Sequence, residues 1–204
     1  MDAVDFGALL ESAAKLQELV PDAVLVGGTA AALHAGHRQS RDHDHVLADL
    51  RERFDTVLDA VEADDGWALI RERPLEVEQV ELPSGATLRV PTIDETLRIK
   101  AFLMIRRNQV RDYLDVAALA DRMGVQRAAE VLREIDDYYA EQRAGDEAMA
   151  SQVSRQLAQP MPRDVQVTAE LAHYKGLDRR WTSWGAVTAA LAEVAAAMIT
   201  GDTS

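Results

Sequence analysis

Asp42 and Asp44, in the run SRDHDHVL, are the residues whose type and spacing point most directly to chemistry. Residues two apart on a strand face the same side, so this pair would present two carboxylates together. Upstream, Gly27-Gly28-Thr29 follows the apolar run AVLV and leads into an Ala- and Leu-rich segment. A strand, a Gly-Gly turn and a helix in that order offer backbone N–H groups to phosphate oxygens. Paired carboxylates facing a phosphate-accepting turn predict metal-dependent phosphoryl or nucleotidyl transfer. Mg2+ is the expected ion, because one or two carboxylates plus substrate phosphates and water satisfy its octahedral shell.

Other residues extend this reading. Lys100 stands among apolar neighbours in a helical run, as a point charge for a triphosphate or as an ordinary surface lysine. Asp112 and Asp115, in RDYLDVAALA, lie one helical turn apart. They could pair with Arg107 or Arg111, or one of them could orient Lys100. Arg38 and Arg41 read as anion contacts or as partners of the carboxylates, and Ser40 lies two residues before Asp42. A phosphate on Ser40 would put negative charge and bulk where a metal–nucleotide complex must sit, which makes Ser40 a candidate regulatory phosphorylation site. His34, His37, His43 and His45 invite a zinc hypothesis. However, His43 and His45 alternate with the aspartates and so face the other side of the strand, which splits the cluster. Neither a third glycine at dinucleotide-fingerprint spacing nor a Gly-Lys-Ser/Thr run follows the Gly-Gly turn.

The elements that must position these residues are legible from periodicity. Phe6 to Leu19 has helical apolar spacing, and Ala23 to Val26 reads as a buried strand. Thr29 to Ala35 is helical up to Gly36, and a second strand carries the aspartates. Leu50 to Ala63 reads as an amphipathic helix. Trp67 to Ile70, Val77 to Leu82 and Ala86 to Val90 read as strands, the last two joined as a hairpin at Pro83-Ser84-Gly85. Thr92 to Glu95 has the form of a capping box opening the helix with Lys100. Asn108 interrupts before Val110 to Met123, which Gly124 closes. Helices are predicted near Gln126 to Arg143, Asp146 to Leu157, Val165 to Tyr174 and Trp184 to Ile199. The order implies an α+β core over residues 1–123 and a helical part over 124–204.

Composition narrows the classes. The 204 residues are 48% hydrophobic and 5% aromatic, enough for a core packed by aliphatic side chains. There is no cysteine, so disulfides and thiolate-bound metal are excluded. The acidic, amphipathic N-terminus is unlike a signal peptide, and no apolar run reaches membrane-spanning length. A cytoplasmic protein is expected. The net charge of -13 opposes broad nonspecific duplex binding. Yet Arg98, Lys100, Arg106, Arg107 and Arg111 form a cationic stretch mid-chain that could serve a local groove.

Taken together, LVGGTAAALHAGHRQSRDHDHVL and ETLRIKAFLMIRRNQVRDYLDVAALADR resemble the AbiEii/AbiGii-type nucleotidyltransferase toxins, including the MenT toxins of mycobacteria. The resemblance covers about residues 20 to 123. It implies a polymerase-β-like nucleotidyltransferase core with a C-terminal helical extension. Gly27, Gly28 and Thr29, with Ser40 and Arg41, would bind the nucleotide. Asp42 and Asp44 would hold metal, and Lys100 and Asp112 would complete the catalytic set. It further implies a toxin with a cognate antitoxin, transferring a nucleotide, a pyrimidine in particular, to the 3′ end of tRNA and so blocking translation. Here His43 and His45 stand where the family usually has apolar residues. A third carboxylate would have to come from Glu76 or Glu78. The rival readings are transfer to a protein hydroxyl and a non-catalytic nucleotide-binding module of the same fold.

Overall fold

Strand β1, Ala23–Val26, is buried on both faces and divides the interior into two packed layers. Because strand side chains alternate, Val24 and Val26 enter the larger core while Leu25 enters the smaller one. A computed structural model describes residues 6–40, 44–47, 75–139, 147–174 and 176–201. Strand β2, Asp44–Leu47, pairs antiparallel with β1 and sets Val26 opposite Asp44, Leu25 opposite His45 and Val24 opposite Val46. Directly paired residues share a face. Asp44 therefore lies on the side of Val24 and Val26, and His45 on the side of Leu25, as the alternation argument required.

The smaller layer is built by helix α1, Phe6–Leu19, over the hairpin of β3, Val77–Glu81, and β4, Thr87–Pro91. Leu10, Ala13 and Ala14 pack on Leu25, Leu82, Leu88 and Val90. Gln17 is buried on the same helix face, and its side-chain amide stands in for a neighbouring strand. Its Nε2 donates to the Arg89 carbonyl at 2.9 Å and its Oε1 accepts the Arg89 N–H at 2.7 Å. Two backbone groups at this edge of β4 are thus satisfied without another strand.

The larger layer is helical. Helix α2, Gly27–Ala35, follows β1 without an intervening loop. Helix α3, Ile93–Arg107, and helix α4, Val110–Met123, pack on each other and on α2. Every residue of α3 from Glu95 to Met104 is buried, polar ones included, so this helix runs through the interior. Thr92 caps it by accepting the Glu95 N–H at 3.2 Å. The return half of the expected capping box is absent: the Thr92 N–H donates to the Glu76 carbonyl, and the Glu95 carboxylate accepts from Arg98 instead. Asn108 breaks the helix in the left-handed region at φ 54, a conformation that asparagine tolerates better than most residues. Its side chain is tied down by Tyr113 and Met161.

Helices α5, Val125–Arg133, α6, Asp136–Tyr139, α7, Met149–Ala158, and α8, Trp184–Thr200, complete this layer. Their buried residues join those of β1, α3 and α4 in one continuous core, so packing does not break at Gly124. Two expectations shift. In the described part of the helix expected over 126–143, residues 126–139, there are two helices with a turn at Glu134 and Ile135. Residues 165–174 form short 3-10 turns, Val165–Ala169 and Leu171–His173, in place of an α-helix. The first of these has no buried residue, so no apolar stripe holds it in α-helical register. The helix and strand predicted at 50–63 and 67–70 lie outside the described residues. The described chain is α+β, with its strands in two antiparallel pairs.

Candidate active site

The chemistry converges where α2 begins. Gly27 has φ +71, and a Cβ placed there would come within 2.7 Å of the Asp44 Oδ2. A Cβ on Gly28 would come within 2.6 Å of the Arg38 Nη2. The Gly-Gly pair is thus a close-approach device that seats a carboxylate over one glycine and a guanidinium over the next. Asp44 is exposed and begins β2 directly above the helix N-terminus, where the dipole favours negative charge. Thr29 is buried at 1% exposure, so the part of this turn facing outward is its backbone.

Behind the turn lies a buried ionic node centred on Asp115 of α4. Its carboxylate is fully buried and receives the His37 Nε2 at 2.7 Å, the Arg38 Nε at 2.8 Å and the Arg38 Nη2 at 3.1 Å. Its Oδ2 meets the Lys100 Nζ at 2.9 Å. Burial alone would push the Asp115 carboxyl up. Arg38, Lys100 and His37 outweigh it and hold the group well below the ordinary carboxylate range. The node ties three pieces of chain together: the loop after α2 through His37 and Arg38, α3 through Lys100, and α4 through Asp115.

Asp112, one turn earlier on α4, is equally buried, but neither carboxylate oxygen has a hydrogen-bond partner. Burial raises its pKa above the ordinary value, against the pull of Lys100, and the Asp115 charge adds to the rise. Asp115 is therefore the residue that orients Lys100, and the alternative, an ion pair of either aspartate with Arg107 or Arg111, is not formed. Lys100 is 4% exposed, which sets aside its reading as a surface lysine.

The remaining expected site residues separate. Asp42 and Arg41 lie outside the described residues, as does His43. Ser40 is buried at 6% exposure. Glu76 turns toward Arg98 at 3.2 Å and accepts the Tyr138 hydroxyl at 2.7 Å, in a cluster with the buried Glu95. Glu78 is half-exposed and lines an open groove with Gln17, Glu18 and Arg89, with an oxygen 3.8 Å from the His34 Nδ1. The His34 Nε2 sits 2.7 Å from the Pro91 carbonyl. His34 and His37 are thus committed to different partners. Among the described residues no group of three or more His, Asp or Glu side chains is arranged to hold a metal ion.

His37, Arg38 and Asp115 carry more of this site than their spacing announced. The contacts join residues 77 and 78 positions apart, and helical periodicity carries no information across such a gap. The available signal was chemical: an Asp at 115 in an otherwise apolar helix face must find cations if it is buried.

A strand feeds a glycine-opened helix, with an acidic residue above the turn and a buried lysine behind it. Over residues 68–189 the chain matches the family profile described as nucleotidyl transferase AbiEii toxin, Type IV TA system, and it belongs to that family. The matched span takes in Lys100, Asp112, Asp115 and most of the helical part, and begins after the Gly-Gly turn and Asp44. Similarity also extends to "Probable transport protein MmpL11" of Mycobacterium bovis and "Heme uptake protein MmpL11" of Mycobacterium tuberculosis. Each is 33% identical over 198 residues, covering 80% of this chain and 20% of the relative. The "Mycolic acid-containing lipids exporter MmpL11" of Mycolicibacterium smegmatis is 32% identical over 176 residues, covering 78% of this chain and 18% of the relative. The chain spans about a fifth of the length of these relatives, whose names describe the whole transporters. No helix among the described residues is long and apolar enough to cross a membrane. No solved structure matches the chain.

Proposed function

We propose that this protein is a metal-dependent nucleotidyltransferase toxin that moves a nucleoside monophosphate from an NTP to the 3′ end of an RNA, with tRNA the expected acceptor and an antitoxin its expected partner. The observation that carries the reading is the Asp44–Gly27–Gly28–Arg38 arrangement backed by the Lys100–Asp115 pair. One carboxylate, one helix N-terminus and two cations meet in one place, as transfer from a triphosphate requires. A polymerase-β-like core accommodates this geometry, and membership of the AbiEii family supports the reaction class.

Asp44 is an exposed hard oxygen donor, and with Asp42 it would hold Mg2+, which fits the donor chemistry of the site. When bound, the ion would supply Lewis-acid stabilisation of charge on the phosphates. The chain's own residues do the rest. The first N–H groups of α2 receive phosphate oxygens. Lys100, held by Asp115, and Arg38 neutralise the charge that grows on the departing pyrophosphate. Asp112, whose buried carboxyl lacks a hydrogen-bond partner, is placed to hold a proton beside Lys100. The 3′-hydroxyl oxygen bonds to the α-phosphorus, the bond to the bridging oxygen breaks, pyrophosphate leaves, and the hydroxyl proton is released.

Incubating the protein with α-labelled NTPs, Mg2+, total RNA and cell extract tests this. Label on tRNA-sized RNA is expected, lost in Asp44→Ala and with EDTA. Asp44 is exposed, so that variant should keep its fold by circular dichroism. Label on protein alone would select transfer to a side-chain hydroxyl, and no label under any condition would overturn the proposal.

A further inference from the structure

The turn at Asn108, between α3 and α4, gathers more of the chain than a helix break requires. The Asn108 Oδ1 lies 2.6 Å from the Tyr113 hydroxyl, which is also 3.1 Å from the Gln156 Oε1 of α7. The Asn108 Nδ2 donates to the Met161 carbonyl at 2.9 Å, and the Asn108 carbonyl accepts the Arg163 N–H at 2.8 Å. The Asp164 Oδ1 accepts the Val110 N–H at 2.9 Å, which satisfies the start of α4. Three hydrogen bonds thus fix a segment lying 53 and 54 positions further along the chain against this turn.

What the fold assembles there is positive charge. Arg106 and Arg107 end α3, Arg111 stands in the first turn of α4, and Arg163 arrives with the second segment. Arg106, Arg111 and Arg163 are exposed, and among the described residues none of these three enters an ion pair. The acid bound into the corner, Asp164, places its carboxylate on the N-terminus of α4, where the helix dipole balances it. Asp112 is buried, away from the solvent that the arginines face. On a chain of net charge -13, four arginines converging on one turn reverse the local sign. Such a reversal concentrates a polyanion at one place on an otherwise repelling surface. The planar fork of arginine suits phosphate oxygens in particular.

Helix geometry sets the distance from this corner to the ionic node. The contact between the Lys100 Nζ and the Asp115 Oδ2 at 2.9 Å clamps α3 to α4 at the node. Arg107 follows Lys100 by two turns of α3, about 10 Å along the axis. Arg111 precedes Asp115 by one turn of α4, on the same side of the helix. The node in turn reaches the Gly27–Gly28 turn through Arg38, whose Nε lies 2.8 Å from Asp115 and whose Nη2 covers Gly28. About 10 Å corresponds to roughly three nucleotides of one stacked strand, at about 3.4 Å each. The phosphates of an NTP are already served by the helix N-terminus, Arg38 and Lys100, and leave this corner without a role in holding the nucleotide.

We propose that the Asn108 corner, with Arg111 and Arg163 as its principal contacts and Arg106 and Arg107 beside them, binds backbone phosphates of the acceptor RNA a few nucleotides from its reacting 3′ end. This rests on the nucleotidyl-transfer reading of the site and assigns the residues that hold its acceptor. Contacts of this kind position an RNA without reading its sequence.

The test uses the full chain and a 5′-fluorescein RNA hairpin with a short single-stranded 3′ tail, in two unrelated sequences. Binding is read by fluorescence anisotropy, without NTP or Mg2+, from about 50 to about 200 mM salt. Arg111→Gln combined with Arg163→Gln removes two phosphate contacts. The fall in affinity across that range should then be roughly seven- to twelvefold smaller than the parent's, equally for both sequences. Lys15→Gln combined with Arg122→Gln removes the same charge from two exposed positions elsewhere and should keep the parent's salt dependence. In turnover with Mg2+, the corner variant should raise KM for RNA and leave KM for NTP unchanged. Both side chains are exposed and the backbone bonds of Arg163 remain, so its thermal unfolding should match the parent. Equal salt dependence in the corner variant and the parent would overturn the proposal, as would a rise confined to KM for NTP. A parent chain that binds neither hairpin would also overturn it and give the corner to an acidic protein segment. The two readings fail separately. Labelled RNA with an indifferent corner variant removes the corner alone, whereas corner-dependent binding without label transfer removes the transferase reading alone.

Discussion

Asp115→Asn is the perturbation that most sharply examines the ionic node. The substitution keeps shape and removes one charge from a fully buried position that now accepts four contacts between 2.7 and 3.1 Å. An amide offers one acceptor oxygen, and its NH2 would face the donors of Arg38 or Lys100. The cations are left buried without their counter-charge, since Lys100 is 6% exposed and Arg38 18% by side chain. Removing one partner of a buried ionic group typically costs about 3–5 kcal/mol. For a chain of this size that corresponds to a fall in Tm of roughly 6–20 °C. Urea unfolding followed by circular dichroism should show the lowered midpoint with an unchanged slope. Lys100→Met should cost less, because Arg38 and His37 still hold Asp115, and the two substitutions should be strongly non-additive. The acid limb gives an independent reading. The carboxyl is depressed in the folded state, so its contribution is present above the unfolded value near 3.8 and is lost as pH falls through the lower folded value. Asp115→Asn should therefore flatten the loss of stability below about pH 4. An Asp115→Asn protein within about 0.5 kcal/mol of the parent would refute the paired, buried node.

Asp112 should behave in the opposite sense. Its carboxyl is raised, so the unfolded chain ionises first as pH rises past 3.8 and stability falls until the folded value is passed. Asp112→Asn should consequently be more stable than the parent at pH 7, with the gap closing below pH 4, while nucleotide transfer drops. Equal stability at both pH values would contradict the burial argument. At the turn, Gly27→Ala should destabilise by about 1–3 kcal/mol, since it meets both a positive φ and the Asp44 carboxylate. Gly28→Ala should be milder, because Gly28 has no positive φ to strain, although its Cβ would press on the Arg38 Nη2 that donates to Asp115. A larger effect at Gly28 in thermal unfolding would reverse the assignment. If Asp44 helps to hold Mg2+, adding Mg2+ with a non-hydrolysable NTP should raise Tm in the parent and not in Asp44→Ala.

Much of this molecule was written in local pattern. The boundaries of α1, β1 and α4, the hairpin of β3 and β4, and the break at Asn108 follow from apolar periodicity and from residues with special backbone freedom. The relation of Asp44 to His45 followed from strand alternation alone. The Gly-Gly turn between a strand and a helix was also legible, because glycine permits the backbone and the close approaches found there.

What local pattern could not decide was which side chains meet. Lys100 and Asp115 lie on different helices, and His37 and Arg38 reach Asp115 from a loop nearly eighty residues earlier. From the sequence Asp112 and Asp115 looked interchangeable, since each sits one turn from the other on the same helix. Their fates differ because α4 turns Asp115 toward three basic groups and leaves Asp112 buried without a hydrogen-bond partner beside them. The same holds for residues 165–174, which looked helical and form short 3-10 turns instead. Residue type and spacing determined that an aspartate-bearing strand and a glycine turn would be built, and the structure sets Asp44 over Gly27. Only the packing of α2, α3 and α4 decided which acid holds the lysine and which remains unpaired, because burial and counter-charge are properties of neighbours in space.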